Sequence, residues 1–583
     1  MEHTVIGTRS VSPHLEARPM RVLHWLVLFI CLAVYLESPA SADMLIVGGR
    51  VWTANPKLPW AEAVAIRDDR VAFVGSSAQA RQFPLHDPEI IELHGSLVLP
   101  GINEAHAHLL MGAESLERVN LEEFDSVTNV QAAIAEFASS QKDRPWVLGR
   151  GWMYSAFPGG LPTKEQLDVV VPDRPAYMEA YDGHTGWANT RALEIAGITS
   201  QTADPNDGVI VRDRLTGAPT GALKESANGL VTRHIPKLDD EQRYQLLLRS
   251  VALLNSLGIT SLQDAAFSAP DDLPLLQRAL QENRLTIRFR GAVVMNPETV
   301  DVTIGRVKEL KCVLSGDLLR VDAVKAFVDG VIEAKTAAML TPYPGTMNCG
   351  SANWEAEVLN AAVVAADAAG IQVWLHATGD GAVRMCLDAH EAAERANGPR
   401  DRRGRIEHIE TMHPADFPRF HQLGVLASMM PLHANPNQNL LEVWSGNAGP
   451  DRASRGFPWR NLESSDAVLI FGSDWPIVTA DPLRGLYCAT TRTTPDGEPV
   501  GGWLPGQTVS LESALRHYTI DAAYGSFDEA AKGSIEVGKL ADLVILSDDI
   551  FRQSTAQLLR TRVVQTIVGG RTVFEDPSWK RAQ

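Results

Sequence analysis

Ser96-Leu97-Val98-Leu99-Pro100-Gly101-Ile102-Asn103-Glu104-Ala105-His106-Ala107-His108 decides how the chain is read. The opening apolar run suits a buried strand, and Pro-Gly ends it. His106 and His108 follow, two positions apart. In extended backbone, side chains at i and i+2 point to the same side, so two imidazoles can reach one ion. Alone the spacing is a weak signal. Its weight depends on what the rest of the chain places beside it.

Downstream, short β-type runs alternate with longer helical patterns, which implies βα units and a parallel sheet. Eight candidate strands are Ser96–Leu99, Ile259–Leu262, Ile287–Val293, Val321–Phe327, Gln372–Leu375, Arg405–Ile409, Val425–Met429 and Ala467–Phe471. Eight such units predict an α/β fold of the (β/α)8 TIM-barrel type. The rhythm breaks once, between the first and second strands. We read about 115–257 as a subdomain inserted after the first barrel strand, within a barrel region 97–532. Both chain ends carry the phrase Ile-Val-Gly-Gly-Arg, at Ile46–Arg50 and Ile567–Arg571. Each is a strand, a Gly-Gly turn and another strand. Residues 43–96 and 533–583 are therefore expected to join in one small β-sandwich.

Four more polar residues fall at or near the ends of these strands: Lys325, His376, His408 and Asp474. Barrel active sites form at the C-terminal strand ends. Neutral His and carboxylate are common ligands of Zn²⁺ and similar ions. Two ions about 3.5–4 Å apart can activate a shared hydroxide and polarise a carbonyl. A lysine inside an apolar strand needs a reason, because a buried ammonium is costly. Captured CO₂ would turn Lys325 into a carbamate, an anion able to bridge two ions. With one ion instead, Lys325 would be a plain cation paired to Asp322 or Asp329.

The 583 residues have 45% hydrophobic and 21% charged content, which excludes a largely disordered chain and a polytopic membrane protein. A net charge of −18, with no long basic run, argues against nonspecific nucleic-acid binding. Arg18 and Arg21 precede the apolar run Leu26–Leu36, and Pro39-Ala40-Ser41-Ala42 follows. Residues 1–42 thus read as an export signal, giving a periplasmic or secreted protein with no stable membrane span after cleavage. An uncleaved anchor is the alternative. The remaining cysteines, Cys312, Cys349, Cys386 and Cys488, lack the C-x-x-C spacing of a zinc site. One disulfide stays open, and so does a homo-oligomer.

The phrases PGINEAHAH, DGHTGWAN, VKAFVDG, WLHATGD, RIEHIE, FGSDWP, DPLRGLYCATTR and GSIEVGKLADLVIL together resemble the amidohydrolase superfamily, and more closely the amidohydrolase-3 family, which includes N-substituted formamide deformylases. The resemblance implies a metal-dependent barrel beside a β-sandwich. It implies His106, His108, carboxylated Lys325, His376, His408 and Asp474 as ligands of two divalent ions, of which zinc suits the donors. Asp474 would also be the catalytic acid/base. His184 would line the substrate pocket and bond the scissile carbonyl oxygen. Trp152, Tyr181 and Trp187 are candidate pocket walls, with His413 and His433 as further pocket candidates. Two departures stand out. Glu104 replaces the family's Asp, and Ala334-Lys335 replaces Ser-Arg. The reading is a hydrolase of a small-molecule, non-peptide C–N bond, such as an N-acyl or N-formyl amide. Hydrolysis of an ester, carbamate or lactone at the same centre, and a silent binding protein on this fold, are the rivals.

Overall fold

The computed structural model describes residues 43–579, apart from residues 123, 182 and 207. The expected export signal, 1–42, lies outside the described residues. Among those described, no helix is long and apolar enough to cross a membrane, and Cys312, Cys349, Cys386 and Cys488 are free thiols.

Eight parallel strands form the central sheet: β1 (Ile102–Ala107), β2 (Ile259–Phe267), β3 (Arg288–Val294), β4 (Leu319–Phe327), β5 (Gln372–Ala377), β6 (Arg405–His408), β7 (Leu426–Met429) and β8 (Leu469–Phe471). They pair in chain order from β1 to β8. The barrel closes just above β8. Asp474 N donates to His106 O at 2.7 Å, and His108 N donates to Trp475 O at 2.8 Å. The backbone that seals the barrel therefore belongs to the His-x-His segment and to the loop carrying Asp474.

One expected strand is placed differently. Leu97–Pro100 lies not in the barrel but in a six-stranded end sheet, between Arg50–Trp52 and Leu543–Leu546. Pro100-Gly101 marks the passage from that sheet into β1, where Gly101 N donates to Asp542 O at 2.9 Å. A β-carbon on Gly101 would sit 2.4 Å from Thr260 Cγ2 on β2, so the crossing needs glycine. The end sheet continues through Val563–Val568 and Arg571–Glu575, and a four-stranded sheet built on Met44–Val47 faces it. Ile46, Val64, Ile66, Val98, Leu543, Ile545 and Ile567 fill the space between them. This is the β-sandwich made from both chain ends.

A separate six-stranded mixed sheet stands between β1 and β2 in the chain. It runs from Arg118–Asn120 through Val147–Trp152, Ala176–Ala180, Thr185–Ala188 and Pro219–Glu225 to Gly208–Arg212. It has its own apolar core, centred on Trp152, Phe157, Leu167, Met178 and Trp187. Arg150 ties it to the barrel mouth, donating to Pro476 O at 3.2 Å, two residues past Asp474.

Candidate metal centre at the barrel mouth

Glu104 and His106 lie on β1, whose pairing with β2 shifts register between Glu104 and Ala107, and His108 follows the last residue of the strand. His106 is fully buried. Its Nδ1 bonds Glu407 Oε2 on β6 at 2.6 Å, which turns Nε2 towards the mouth. His108 Nε2 lies 2.9 Å from Asp474 Oδ1, and His106 Nε2 lies 3.4 Å from the same oxygen. One ligand atom each from His106, His408 and Asp474 lies within 4.8 Å of the others.

His408 and Asp474 reach this point through unusual backbone. Their φ values are +73° and +63°, and Ile409 adds +51°. Strand alternation would send His408 opposite to Glu407. The left-handed turn re-aims its ring, so that it meets His376 at 4.4 Å and His106 at 5.0 Å between centroids. Such conformations cost about 1–3 kcal/mol each and cluster at functional sites.

Glu104 braces the seam. Its Oε1 accepts from His106 N at 3.1 Å and Ser473 N at 2.7 Å. Burial raises its carboxyl to about 8. A β-carbon on Gly472 would meet His106 N at 2.5 Å and Glu104 Oε1 at 2.6 Å, so β1 and the Asp474 loop touch with nothing between them. On β2, Asp264 accepts from Leu109 N at 2.8 Å and anchors the chain just after His108.

Lys325 and His376 approach from β4 and β5. Lys325 is fully buried, and its Nζ has no hydrogen-bond partner among the described residues. Burial lowers its pKa to about 8, against the opposing pull of Glu407 and Asp474. Burial, with the Lys325 charge, lowers His376 to about 3, and His408 is pushed well down by burial and by His376. These imidazoles are neutral, the form that binds metal. Burial opposes the charge of Asp474, but the neighbouring His106 and His108 outweigh it and hold the carboxyl well below its usual range.

The buried orphan atoms supply the test of whether a metal fits. His106 Nε2, His108 Nδ1, Lys325 Nζ and His433 Nε2 are all buried without hydrogen bonds. Buried polar atoms are normally satisfied. A cluster of nitrogen donors around one carboxylate is what a zinc-like ion requires, so the residues fit.

The other predicted residues divide. His433 joins the cluster: it stacks on His408 at 5.8 Å, and its Nε2 lies 3.6 Å from Asp474 Oδ2. His413 does not. It is exposed, and its Nδ1 caps the following turn by accepting from Ala415 N at 3.2 Å. Trp152 and Trp187 are not pocket walls. Both have no exposed surface, and their indole N–H groups donate to Met178 O and Thr163 O within the inserted sheet's core. Large aromatics serve cores and pockets alike, and here the insert's own core took them. Tyr181 is half-buried and contacts the Tyr154 ring. His184 is exposed on the inserted sheet, with Nδ1 3.0 Å from Glu225 Oε2. It is not one of the three side chains whose ligand atoms converge. Sequence reasoning noted Glu104 only as a departure from the family pattern, and it missed Glu407 and Asp264. A charged i, i+2 pair in a short buried strand, Arg405 and Glu407, was the available signal for Glu407.

Residues 89–574 match the model of the amidohydrolase family. The chain is 32% identical to Protein LONG AFTER FAR-RED 3 of Arabidopsis thaliana, over 92% of this chain and 93% of that protein. It is 29% identical to the N-substituted formamide deformylase of Arthrobacter pascens, over 91% and 98%. Among solved structures, an uncharacterized metal-dependent hydrolase from Pyrococcus furiosus superposes with a TM-score of 0.68 at 26% identity, covering 87% of this chain and 99% of that one. The chain belongs to the amidohydrolase family, as a metal-dependent barrel hydrolase acting on carbon–nitrogen bonds.

Proposed function

We propose that the barrel mouth hydrolyses a non-peptide C–N bond in a small N-acyl or N-formyl amide. The observation that carries this is the convergence of His106, His408 and Asp474 within 4.8 Å, beside buried nitrogens that lack partners. His106, His108, Lys325, His376, His408 and Asp474 would hold the metal, as two zinc-like ions. When bound, such ions polarise a carbonyl oxygen and make water acidic enough to attack it. The partnerless Nζ of Lys325 suits carbamate formation. The neutral amine would bond to CO₂ carbon and release one proton, giving an anion that suits a metal ligand.

Asp474 carries the proton. Its carboxylate is held by His106 and His108, so it is ionised and oriented to take a proton from the attacking water. It then delivers that proton to the leaving nitrogen. His184 extends from the inserted sheet as a substrate contact, steadied by Glu225. The likeness to the formamide deformylase supports the acyl choice. The pattern of residues 1–42 supports action outside the cytoplasm.

The test is a panel of N-formyl and N-acetyl amines, with matched esters, on zinc-reconstituted protein with metal content measured. Amide turnover that disappears on chelation and returns with zinc supports the proposal. Turnover of esters alone overturns the amide reading, and a protein that takes up no metal overturns the centre.

A further inference from the structure

Beneath the candidate metal centre lies a buried ion pair that touches one of its histidines. Arg405 and Glu407 occupy alternate positions of β6, so both side chains enter the barrel interior, where both are fully buried. Arg405 lies flat against Trp374, 3.8 Å from its ring centroid. Arg405 also bonds groups on neighbouring strands, so an apolar pair in this space would leave those buried acceptors without a donor. The pair therefore ties strands together, and its place under His106 gives it a second purpose.

Its contacts show that purpose. Arg405 grips both oxygens of Glu407, Nε to Oε1 at 2.8 Å and Nη2 to Oε2 at 3.0 Å. Its other bonds reach three more strands: Gln263 Oε1 on β2 at 2.6 Å, Ala105 O on β1 at 2.7 Å and Ser428 Oγ on β7 at 3.1 Å. The carboxylate cannot rotate within this frame. It presents Oε2 to His106 Nδ1 at 2.6 Å. The bond keeps the proton on Nδ1 and leaves Nε2 bare, facing Asp474. Arg405 also holds the carbonyl of Ala105, the residue before His106, so ring and backbone share one clamp.

We propose that Arg405 and Glu407 are a positioning pair that fixes the tautomer and orientation of His106 for metal binding. The inference rests on the reading of His106 as a ligand. Outer partners of this kind typically set metal affinity by about 10–100-fold.

The experiment compares the full chain with Glu407→Gln and with the double variant Arg405→Met/Glu407→Met. Zinc affinity is read by competition with a chelator, and Tm is read on the metal-free proteins. Glu407→Gln should weaken zinc binding by about tenfold. The double variant should bind zinc about 10–100-fold more weakly, at a lower metal-free Tm because the acceptors on β1, β2 and β7 lose their donor. Wild-type zinc affinity in a folded double variant overturns the inference, as does unchanged affinity in Glu407→Gln if the double variant fails to fold. A wild type that takes up no zinc overturns the metal reading itself, and this inference with it.

Discussion

The two sides of the barrel mouth are built differently. On the β1–β6–β8 side, the side chains hold one another in place, although His106 Nε2 and His108 Nδ1 stay without hydrogen bonds. Glu407 holds His106, Glu104 holds the backbone of His106 and Ser473, and Asp474 lies against His106, His108 and His433. On the β4–β5 side, Lys325 Nζ has no hydrogen bond, and His376 reaches only as far as Gly330 O at 3.3 Å and Asp329 Oδ1 at 3.7 Å. Asp329 is itself occupied, accepting from the backbone of Ala338, Thr378 and Gly379. On the first side the polypeptide itself sets where the side chains stand. The second has a buried amine with no hydrogen bond, answered by the Phe327 ring 5.0 Å away and by the charges of Glu407 and Asp474.

The largest effect should come from the side that is already set. Asp474→Asn keeps the shape and removes the proton carrier. Amide turnover should fall by about 10²–10⁴-fold while the circular dichroism spectrum is unchanged. Activity within a few-fold of wild type would show that the proton moves through another group. On the other side, Lys325→Met should lower turnover by about 10²-fold, and the bound metal should drop by one ion per chain. Removal of a buried, unpaired ammonium should at the same time raise the metal-free Tm. A lower Tm in Lys325→Met would mean that the amine is satisfied in the folded protein, and the contrast between the two sides would fail.

How far the sequence exposed this depends on which physical signal each residue carried. The barrel was legible because most of its strands are apolar runs separated by helical periods. Its first strand was misplaced because Leu97–Pro100, buried in the sandwich, has the same apolar signature as a barrel strand. The true β1 carries buried Asn103, Glu104 and His106 and so looks polar. Lys325 and His376 were legible as polar residues breaking apolar strands. His408 and Asp474 were legible by position, but not their aim: positive φ at two non-glycine residues leaves no mark on composition. Trp152 and Trp187 misled because an indole in a loop-rich segment suits a pocket wall and a core equally well, and only the insert's packing decides.

Smaller effects test the edges of the contrast. His184 stands on the inserted sheet, outside both sides of the mouth. His184→Ala should raise KM about 3–10-fold, the worth of one hydrogen bond, with metal content and Tm unchanged. A fall in kcat with KM constant would instead place His184 against the reacting atoms.

The smallest effect concerns what backs the set side. Behind β8, His517 packs edge-on against Phe471, with ring centroids 4.9 Å apart. Its Nδ1 lies 2.9 Å from Asp521 Oδ2, and its Nε2 lies 3.7 Å from Glu463 Oε1 and 3.4 Å from Ser513 Oγ. Arg516 reaches Asp521 and Arg460 reaches Glu463, so both carboxylates are shared with a guanidinium. Burial opposes the imidazolium, but the two carboxylates outweigh it and raise His517 above its ordinary 6.5. A raised folded-state pKa adds stability that is complete below the unfolded value and is lost as pH rises through the folded one. His517→Gln should therefore lower Tm most near pH 6, by a few degrees at most on the order of 1 kcal/mol. The gap should close towards pH 9. A Tm difference that does not change with pH would mean that His517 serves β8 only as a packed ring, and that charge plays no part in bracing the Asp474 side.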